Sequence, residues 1–320
     1  MNDFRAYVKV LGWIFLNNVI GQHGQKLIGT KHAESARYCY SVWLRHLVLT
    51  NKVCSTKNIP AVVAEIGPGN SLGTGFAALL SGAEKYYSLD VVHYCDVEKN
   101  LSIFDEMVQL FLDKEDIPDD EEFPKINPKL DSYSFPDYLI NESRLRASLS
   151  NERLKYIRKS IISTNSNNGC IYYHVPWTDS SSIQENSVDF IFSQAVLEHV
   201  DDLPLVYNSM KKWLKDSGVI SHTIDFKSHG TSVKWNGHWG YSNLAWKIVR
   251  GRAIYLINRM PLSFHLKCLD DAGFELIYSQ QVKGDEGIQR EKLAEDFREL
   301  SDLDLNTSVA YLVCKIVSKG

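Results

Sequence analysis

A short apolar run followed at once by a glycine turn limits what this chain can fold into more than any other feature of the sequence. Residues 61–66 have the length and the valine and isoleucine content of a strand that is covered on both faces of a sheet. A Gly-Pro-Gly turn at residues 67–69 comes next, followed by an alanine- and leucine-rich segment at residues 76–81 and a second strand-like run at residues 86–90. A strand, a glycine turn, a helix and a second strand in this order form a βαβ unit. The sequence therefore predicts an α/β fold with a largely parallel sheet.

The rest of the chain divides into an extension, an insertion and the remainder of the sheet. Residues 1–57 are predicted to form an N-terminal helical extension. The α/β domain is predicted over residues 58–320, with a cap-like insertion at about residues 91–167. Within the insertion, residues 113–122 contain seven carboxylates and one lysine beside prolines and predict a solvated loop, and residues 142–159 predict a basic helix. Further strands are predicted at residues 171–174, 188–193, 219–226, 274–282 and 309–317, helices at 203–214 and 263–272, and a polar helical insert at 289–300.

The composition excludes several classes of protein. The 320 residues include 35 Lys plus Arg and 39 Asp plus Glu, and the resulting net charge of −4 argues against a nucleic-acid partner. The six cysteines form no CxxC pair, as is usual in the reducing cytosol, so a cytoplasmic protein is predicted. The best apolar candidate, residues 10–16, is far shorter than the roughly 20 residues of a membrane helix and predicts an amphipathic helix without membrane insertion. Both a monomer and a homo-oligomer are compatible with this composition.

The residues around the glycine turn indicate what kind of ligand the βαβ unit binds. Glycines let the backbone approach a ligand closely, and the helix that follows presents free N–H groups. In a dinucleotide fingerprint the third glycine would fall at Leu72, whereas Gly73 comes one residue late. Glu65 stands at the end of the first strand, where a carboxylate would repel a pyrophosphate and attract an ammonium group. Asp90 lies 21 residues beyond Gly69, at the position whose carboxylate binds ribose hydroxyls in nucleotide-binding α/β folds.

A site of this kind fits an adenosine that carries an amino-acid ammonium group and no pyrophosphate, which describes S-adenosylmethionine and not NAD. Residues 65–71 resemble the first motif of class I S-adenosylmethionine-dependent methyltransferases. Residues 188–200, which end in Val-Leu-Glu-His-Val, resemble the fourth-strand segment of that family. Residues 214–220 are similar to its Leu-Lys-Pro-Gly-Gly turn before strand five, with Asp216 and Ser217 replacing the proline and the first glycine.

The resemblance covers about residues 59–90 and 169–317 and implies a Rossmann-like, doubly wound sheet, mostly parallel, with an antiparallel last strand. It also implies that Glu65 and the glycine turn contact the methionine end of the cofactor and that Asp90 binds the ribose. Residues 175–177 would close over the adenine, at a point where many relatives carry an acidic residue that this sequence lacks. The implied cofactor-binding residues are Glu65, Gly67, Pro68, Gly69, Asp90, Val91 (against the adenine face), Val175, Pro176, and Ser193 and Gln194 beside the methyl donor.

Three residues near the predicted ends of strands four and five are candidates for a catalytic base. Methyl transfer to a hydroxyl oxygen requires the hydroxyl to lose a proton, and histidine, with an ordinary pKa of about 6.5, suits that role near neutral pH. His229 and Asp225 are the preferred candidates, and His199 follows because a histidine in Val-Leu-Glu-His-Val has a ready packing role. The spacing of His222, Asp225 and His229, with His238 further on, is generic for a metal site, so no metal is predicted.

The acceptor is predicted from two further features. Aromatic and polar residues alternate at residues 235–241, which suits stacking on a sugar or ring, although such a cluster is as often part of a core. The basic segment at residues 153–159 is either a phosphate clamp or a solvated face. These features favour O-methylation of a small-molecule acceptor, a sugar or nucleotide-linked metabolite, in a pocket walled by residues 1–57 and 91–167. The alternatives are a non-catalytic S-adenosylmethionine-binding partner subunit and an NAD-dependent oxidoreductase, the latter disfavoured by Glu65.

Overall fold

Seven strands and nine α-helices occupy the part of the chain that the computed structural model describes, which is residues 10, 12, 35–164, 169–253 and 255–317. The helix predicted at residues 10–16 lies outside the described residues except at two positions. No helix within these ranges has the length and hydropathy needed to span a bilayer. The strands are β1 (Val62–Ile66), β2 (Lys85–Leu89), β3 (Ile171–His174), β4 (Val188–Gln194), β5 (Leu214–Asp225), β6 (Phe274–Lys283) and β7 (Thr307–Ile316). The helices are α1 (Ala36–Val53), α2 (Gly73–Ser81), α3 (Val97–Leu112), α4 (Glu142–Ser148), α5 (Asn151–Ile162), α6 (Leu203–Trp213), α7 (Asn243–Arg250), α8 (Leu262–Asp271) and α9 (Asp302–Asn306).

The strands form one sheet with the order β3-β2-β1-β4-β5-β7-β6. Strands β1 to β5 pair in parallel, and Glu65 of β1 lies between Ser88 of β2 and Phe192 of β4. β7 runs antiparallel to both of its neighbours, β5 and β6. The strand order reverses direction between β1 and β4, which is the point where open α/β sheets bind their ligands. The predicted fold, a doubly wound and mostly parallel sheet with an antiparallel last strand, is confirmed.

Helices cover both faces of the sheet, and each face has its own hydrophobic core. On one face α1 to α5 bury a cluster that includes Trp43, Phe76 and Phe104. On the other face α6 and α8 bury a second cluster that includes Met210 and Leu269. The N-terminal extension and the insertion therefore pack on the same face of the sheet, against the helix that follows the glycine turn.

The acidic segment at residues 113–122 differs in part from its prediction. Arg45 of α1 is fully buried, and its guanidinium contacts the Asp120 carboxylate and the Pro118 carbonyl oxygen, each at 2.8 Å. Ile117 is buried as well. Most side chains of the loop are exposed, as expected of a solvated loop, but the loop also supplies the acceptors that a buried guanidinium requires. The loop therefore holds α1 in place.

Smaller differences concern where elements begin and end. The predicted basic helix is two helices, α4 and α5, because the Ser150 side chain caps the first turn of α5. The turn predicted at residues 215–218 lies within β5, where the pairing with β4 shifts register between Val188 and Phe190. The polar insert near the C-terminus forms two short 3-10 turns, Arg290–Lys292 and Glu295–Phe297.

Candidate active site

A cavity of about 630 Å³ lies at the carboxyl ends of β1, β2 and β4. This volume falls within the roughly 300–1,000 Å³ of small-molecule sites. One face of α1 supplies Tyr38, Cys39 and Val42 to the wall, so the extension contributes to the cavity. Among the described residues of the insertion, only Val91 and Tyr94 at its start line the cavity. The expectation that the whole insertion walls the pocket is wrong, because its helices pack over the sheet face instead.

The turn after β1 places backbone atoms of two glycines, which carry no side chains, at the cavity. Gly67 and Gly69 have φ angles of +68° and +69°, in the left-handed region that favours glycine. The Gly67 N–H donates a hydrogen bond of 2.8 Å to the carbonyl oxygen of Leu89, which ties the turn to the end of β2. A Cβ atom on Gly67 would lie 2.5 Å from Cγ1 of Val196, whereas one on Gly69 would meet nothing within 4 Å. Position 67 therefore requires glycine for both conformation and packing, and position 69 for conformation alone.

The charged side chains that line the cavity are acidic. They are Glu65, Asp90, Asp201 and Asp202, and within the described ranges no lysine or arginine lines the cavity. A partly enclosed site with carboxylates of one sign attracts cations and repels phosphates. The cavity therefore suits the ammonium and sulfonium groups of S-adenosylmethionine and disfavours the pyrophosphate of NAD.

Glu65, near the end of β1, is the most deeply buried of these carboxylates, with 4% of its surface exposed. Burial raises the pKa of Glu65 to about 8, while hydrogen bonds from Tyr86 and Thr74 oppose the shift and the nearby Asp90 adds to it. The Tyr86 hydroxyl on β2 donates directly to the Glu65 carboxylate. A buried carboxylate is costly to ionise unless a positive charge lies beside it. A cationic ligand would supply that charge, so the Glu65 end of the cavity fits an ammonium group.

Asp90 follows β2 directly and is 7% exposed. Its Oδ1 accepts hydrogen bonds from the backbone N–H groups of Val91 at 2.7 Å and Val92 at 3.3 Å. Burial raises the pKa of Asp90, and the backbone N–H groups of Val91, Val92 and Gly69 limit the rise. A carboxylate has about four acceptor positions, so capacity remains for hydroxyl groups of a ligand. The geometry suits a carboxylate that is fixed by backbone and presented to the cavity.

Most of the predicted cofactor-binding residues line this cavity. Val175 and Pro176 do not, and the two residues that follow them, Trp177 and Thr178, line it instead. The segment after β3 therefore reaches the cavity slightly later in the chain than the resemblance implies. The predicted residues that line the cavity are Glu65, Gly67, Pro68, Gly69, Asp90, Val91 and Gln194.

Ser193 and Gln194 are adjacent in β4 and have different surroundings. Ser193 is fully buried and its Oγ lies 2.8 Å from Nδ1 of His222, so it does not line the cavity, which corrects the expectation. Gln194 lines the cavity, and its Oε1 lies 3.0 Å from Nε2 of His46 on α1. Nδ1 of His46 lies 2.7 Å from Oγ of Ser221, and burial lowers the pKa of His46 to about 4. A neutral imidazole that donates from Nε2 fixes the orientation of the Gln194 amide.

The three predicted base candidates lie together at one end of the cavity. His199 lines the cavity, and its ring centroid is 5.0 Å from that of His229. Nε2 of His229 lies 3.8 Å from Oδ2 of Asp225. Burial lowers the pKa of His199 to about 4 and also lowers that of His229, so both imidazoles are neutral at pH 7. Glu198, which the sequence did not single out, joins this cluster with only 2% of its surface exposed.

The two features predicted to bind the acceptor lie elsewhere. Trp239 is fully buried and donates from Nε1 to the carbonyl oxygen of Arg259, so the aromatic cluster belongs to a core. Arg153 of α5 donates to the carbonyl oxygen of Ala83, and Arg158 pairs with a carboxylate of α3. Neither segment lines the cavity. The basic helix is therefore a partly solvated face that supports the fold.

The chain is similar to known methyltransferases. Residues 145–221 match a family model described as a methyltransferase domain. No curated protein matches the sequence. The solved structures that resemble it include a carbon methyltransferase, CurJ (14% identity, TM-score 0.39, 86% of this chain and 54% of that chain). A second is a putative S-adenosylmethionine-dependent methyltransferase from Listeria monocytogenes (10% identity, TM-score 0.40, 86% of this chain and 98% of that chain). A third is Haemonchus contortus phosphoethanolamine N-methyltransferase 2 with S-adenosyl-L-methionine (13% identity, TM-score 0.42, 95% of this chain and 59% of that chain). The chain thus spans about half the length of the first of these proteins.

The match of residues 145–221 to a methyltransferase-domain model, the strand order and the acidic cavity at the strand ends all agree with a class I S-adenosylmethionine-dependent methyltransferase domain in this chain. A domain of this kind is an enzyme that uses S-adenosylmethionine as its cofactor. The acidic lining of the cavity disfavours the NAD-dependent oxidoreductase.

Proposed function

We propose that the enzyme methylates a hydroxyl oxygen of a small-molecule acceptor, with sugars and nucleotide-linked metabolites as the first class to test. The observation that carries the proposal is the cluster of His199, His229 and Asp225 at the edge of the cavity. A hydroxyl group must lose its proton to be methylated, and this cluster offers groups that accept a proton. An acceptor that needs no deprotonation would have no use for it.

Side chains and backbone of the cavity would hold the cofactor. Glu65 would pair with the ammonium group at the methionine end, beside the backbone of Gly67. Asp90 would bind the ribose hydroxyls, with Val91 against the adenine and Gln194 beside the methyl donor. When bound, S-adenosylmethionine supplies a methyl group on a positively charged sulfur, which keeps the bonding electron pair when the methyl leaves. Because this donor is already activated, alignment of the two reactants accounts for much of the expected catalysis.

The cluster would take the acceptor proton. His199 is neutral at pH 7 because burial lowers its pKa to about 4, so its lone pair is available. A buried imidazole of this kind is a weak base, and a carboxylate nearby would stabilise the imidazolium that forms. Asp225, 3.8 Å from His229, is placed for that role or for accepting the proton itself. The proton would pass from the acceptor hydroxyl to this cluster as the new oxygen–carbon bond forms.

The test is methyl transfer to a panel of hydroxylated sugars, nucleotide-linked sugars, phenols and matched amines, followed by mass spectrometry. We expect a methylated product on oxygen and not on nitrogen. His199→Ala, His229→Ala and Asp225→Ala are measured separately, and loss of the true base should lower turnover about 10²–10⁴-fold with cofactor affinity retained. His93→Gln, an exposed histidine that does not line the cavity, is the control. Transfer to amines alone, or near-wild-type rates in all three variants, would contradict the proposal.

A further inference from the structure

Glu198 is a buried carboxyl group for which the mechanism proposed above has no use. Both of its carboxylate oxygens are buried without a hydrogen-bonding partner among the described residues. The backbone N–H groups of Glu198 and Asp225 lie close enough to favour its charged form, but neither makes a hydrogen bond of ordinary geometry. A buried carboxyl group in this situation is costly to ionise unless a positive charge lies beside it. A cation bound beside Glu198 would remove that cost.

Two imidazoles lie next to this carboxyl group. One potential ligand atom from each of Glu198, His199 and His229 lies within 4.8 Å of the others. Nδ1 of His199 is buried and also has no hydrogen-bonding partner among the described residues. Three potential donor groups therefore converge on one small volume, and two of the three residues, Glu198 and His199, have buried polar atoms without a partner among the described residues.

Two imidazoles and one carboxylate are a ligand set for divalent transition metals. Catalytic zinc is held by three protein ligands with a fourth position open, and the combination of two histidines and one glutamate is one of the known sets. Bonds of about 2.0–2.1 Å place the ligand atoms about 3.4 Å apart, so the cluster must contract modestly from 4.8 Å. Glu198 and His199 lie on a 3-10 turn and His229 on the loop after β5, where side chains move more easily than in a strand.

We propose that Glu198, His199 and His229 bind a divalent transition-metal cation, Zn²⁺ or a close relative. Because His199 lines the cavity, the open coordination position of the cation would face the cavity. The binding site stands on the geometry alone, whereas its role rests on the proposed function. The prediction of no metal from the sequence was based on a different set of residues, namely His222, Asp225, His229 and His238. Of these, His222 lies against Ser193, and only His229 belongs to the cluster.

The cation would act on the acceptor hydroxyl. Coordination of an oxygen to a divalent metal lowers its pKa by several units. The proton of the bound hydroxyl would pass to Asp225 and then to solvent, because both histidines would be occupied as ligands. Asp225 also pairs with Lys227, whose Nζ is 3.3 Å away, so this ammonium group is directed to Asp225 and not to Glu198. Methyl transfer would then form the oxygen–carbon bond as the donor carbon–sulfur bond breaks with its electron pair left on sulfur.

The experiment measures metal binding by the full chain, stripped with a chelator and dialysed. Zn²⁺ is titrated by calorimetry and Co²⁺ by visible absorption, which reports coordination directly. We expect one equivalent per chain with a dissociation constant on the order of 1 μM or tighter. Glu198→Gln keeps the size of the side chain, and His229→Gln replaces a partly exposed side chain, so neither variant is expected to disturb the fold. Each should weaken metal binding about tenfold or more. His93→Gln should bind like the wild type.

Affinity for S-adenosylmethionine, measured on the same samples, shows that each variant keeps its fold. Absence of saturable Zn²⁺ or Co²⁺ binding below about 100 μM, or equal binding by both variants and the wild type, would overturn the metal site. Undiminished O-methylation in the presence of a chelator would also overturn it and would leave the proposed function standing. A bound cation that is lost in the variants, together with no methylation of any hydroxyl, would support the site and contradict the proposed function.

Discussion

The affinity for S-adenosylmethionine should rise with pH in a way that reports on Glu65. Burial raises the pKa of this carboxyl group to about 8. Only the ionised form attracts the ammonium group of the ligand, so binding below pH 8 releases a proton. A pKa of about 8 leaves about 1% of the chains ionised at pH 6 and about 24% at pH 7.5. The affinity should therefore increase roughly twentyfold over this interval, which corresponds to about 1.8 kcal/mol.

Calorimetry between pH 6 and 7.5, in two buffers of different ionisation enthalpy, measures both the affinity and the number of protons released. The interval stops at pH 7.5 so that the ligand's own amino group stays charged. Asp90 also has a raised pKa, so adenosine, which retains the ribose and lacks the ammonium group, is the control ligand. Burial raises the pKa values of Tyr38, Cys39 and Tyr86, and these neighbours stay neutral throughout.

Glu65→Gln keeps the shape of the side chain and removes its charge, so its weaker binding should not vary with pH. A flat profile in the wild type would refute the reasoning, as would the same slope in Glu65→Gln or with adenosine. The shift also affects stability. The folded pKa lies above the unfolded value of 4.5, so the native state binds more protons, and this contribution to stability falls as pH rises from about 4.5 to about 8. Glu65→Gln should remove that dependence from chemical denaturation curves.

Three other changes test the cavity and its support. Gly67→Ala should impair cofactor binding and folding more than Gly69→Ala, because only a side chain at position 67 collides with Val196. Gly69→Ala should cost about 1–2 kcal/mol of stability through backbone strain alone. Equal melting temperatures of the two variants in fluorimetry would contradict this expectation. Asp90→Ala should weaken both S-adenosylmethionine and adenosine about tenfold or more in calorimetry, from the roughly 1.5–3 kcal/mol of hydrogen bonds to a charged group, and unchanged affinity would remove Asp90 from the site. Arg45→Ala should lower the free energy of unfolding by about 3 kcal/mol in denaturant titrations, because the variant leaves buried carbonyl oxygens unpaired. A loss below about 1 kcal/mol would show that the acidic loop does not depend on Arg45.

The parts of the fold that were predictable are those whose residues are neighbours in sequence. The strand, the turn at Gly67 and Gly69, and the placement of Glu65 and Asp90 all lie within residues 61–90. Alternation of apolar runs with turn residues is a local property, and parallel strands necessarily bring their carboxyl ends to one edge. The antiparallel last strand followed from the resemblance and not from the local pattern.

The features that escaped prediction depend on contacts between distant residues. Arg45 and Asp120 are 75 positions apart, and nothing near residue 120 indicates that a buried guanidinium needs its carboxylate. Glu198 and His229 are 31 positions apart (229 − 198), and their convergence required the sheet to place the ends of β4 and β5 side by side. Ser193 was misplaced because a motif gives the position of a residue and not the direction of its side chain.

The contacts between α1 and residues 113–122 make the cavity wall part of a larger cooperative unit. Tyr40 donates to the Glu115 carbonyl oxygen at 2.6 Å and Ser41 to that of Pro118 at 2.8 Å, next to the residues that face the cavity. Segments joined in this way unfold locally as one unit, and the free energy of this local unfolding is set by the less stable of the two segments. Amide hydrogen exchange in α1 should therefore accelerate when the distant loop is cleaved. Variation in that loop would then tune how often the pocket opens while every residue that lines it stays the same.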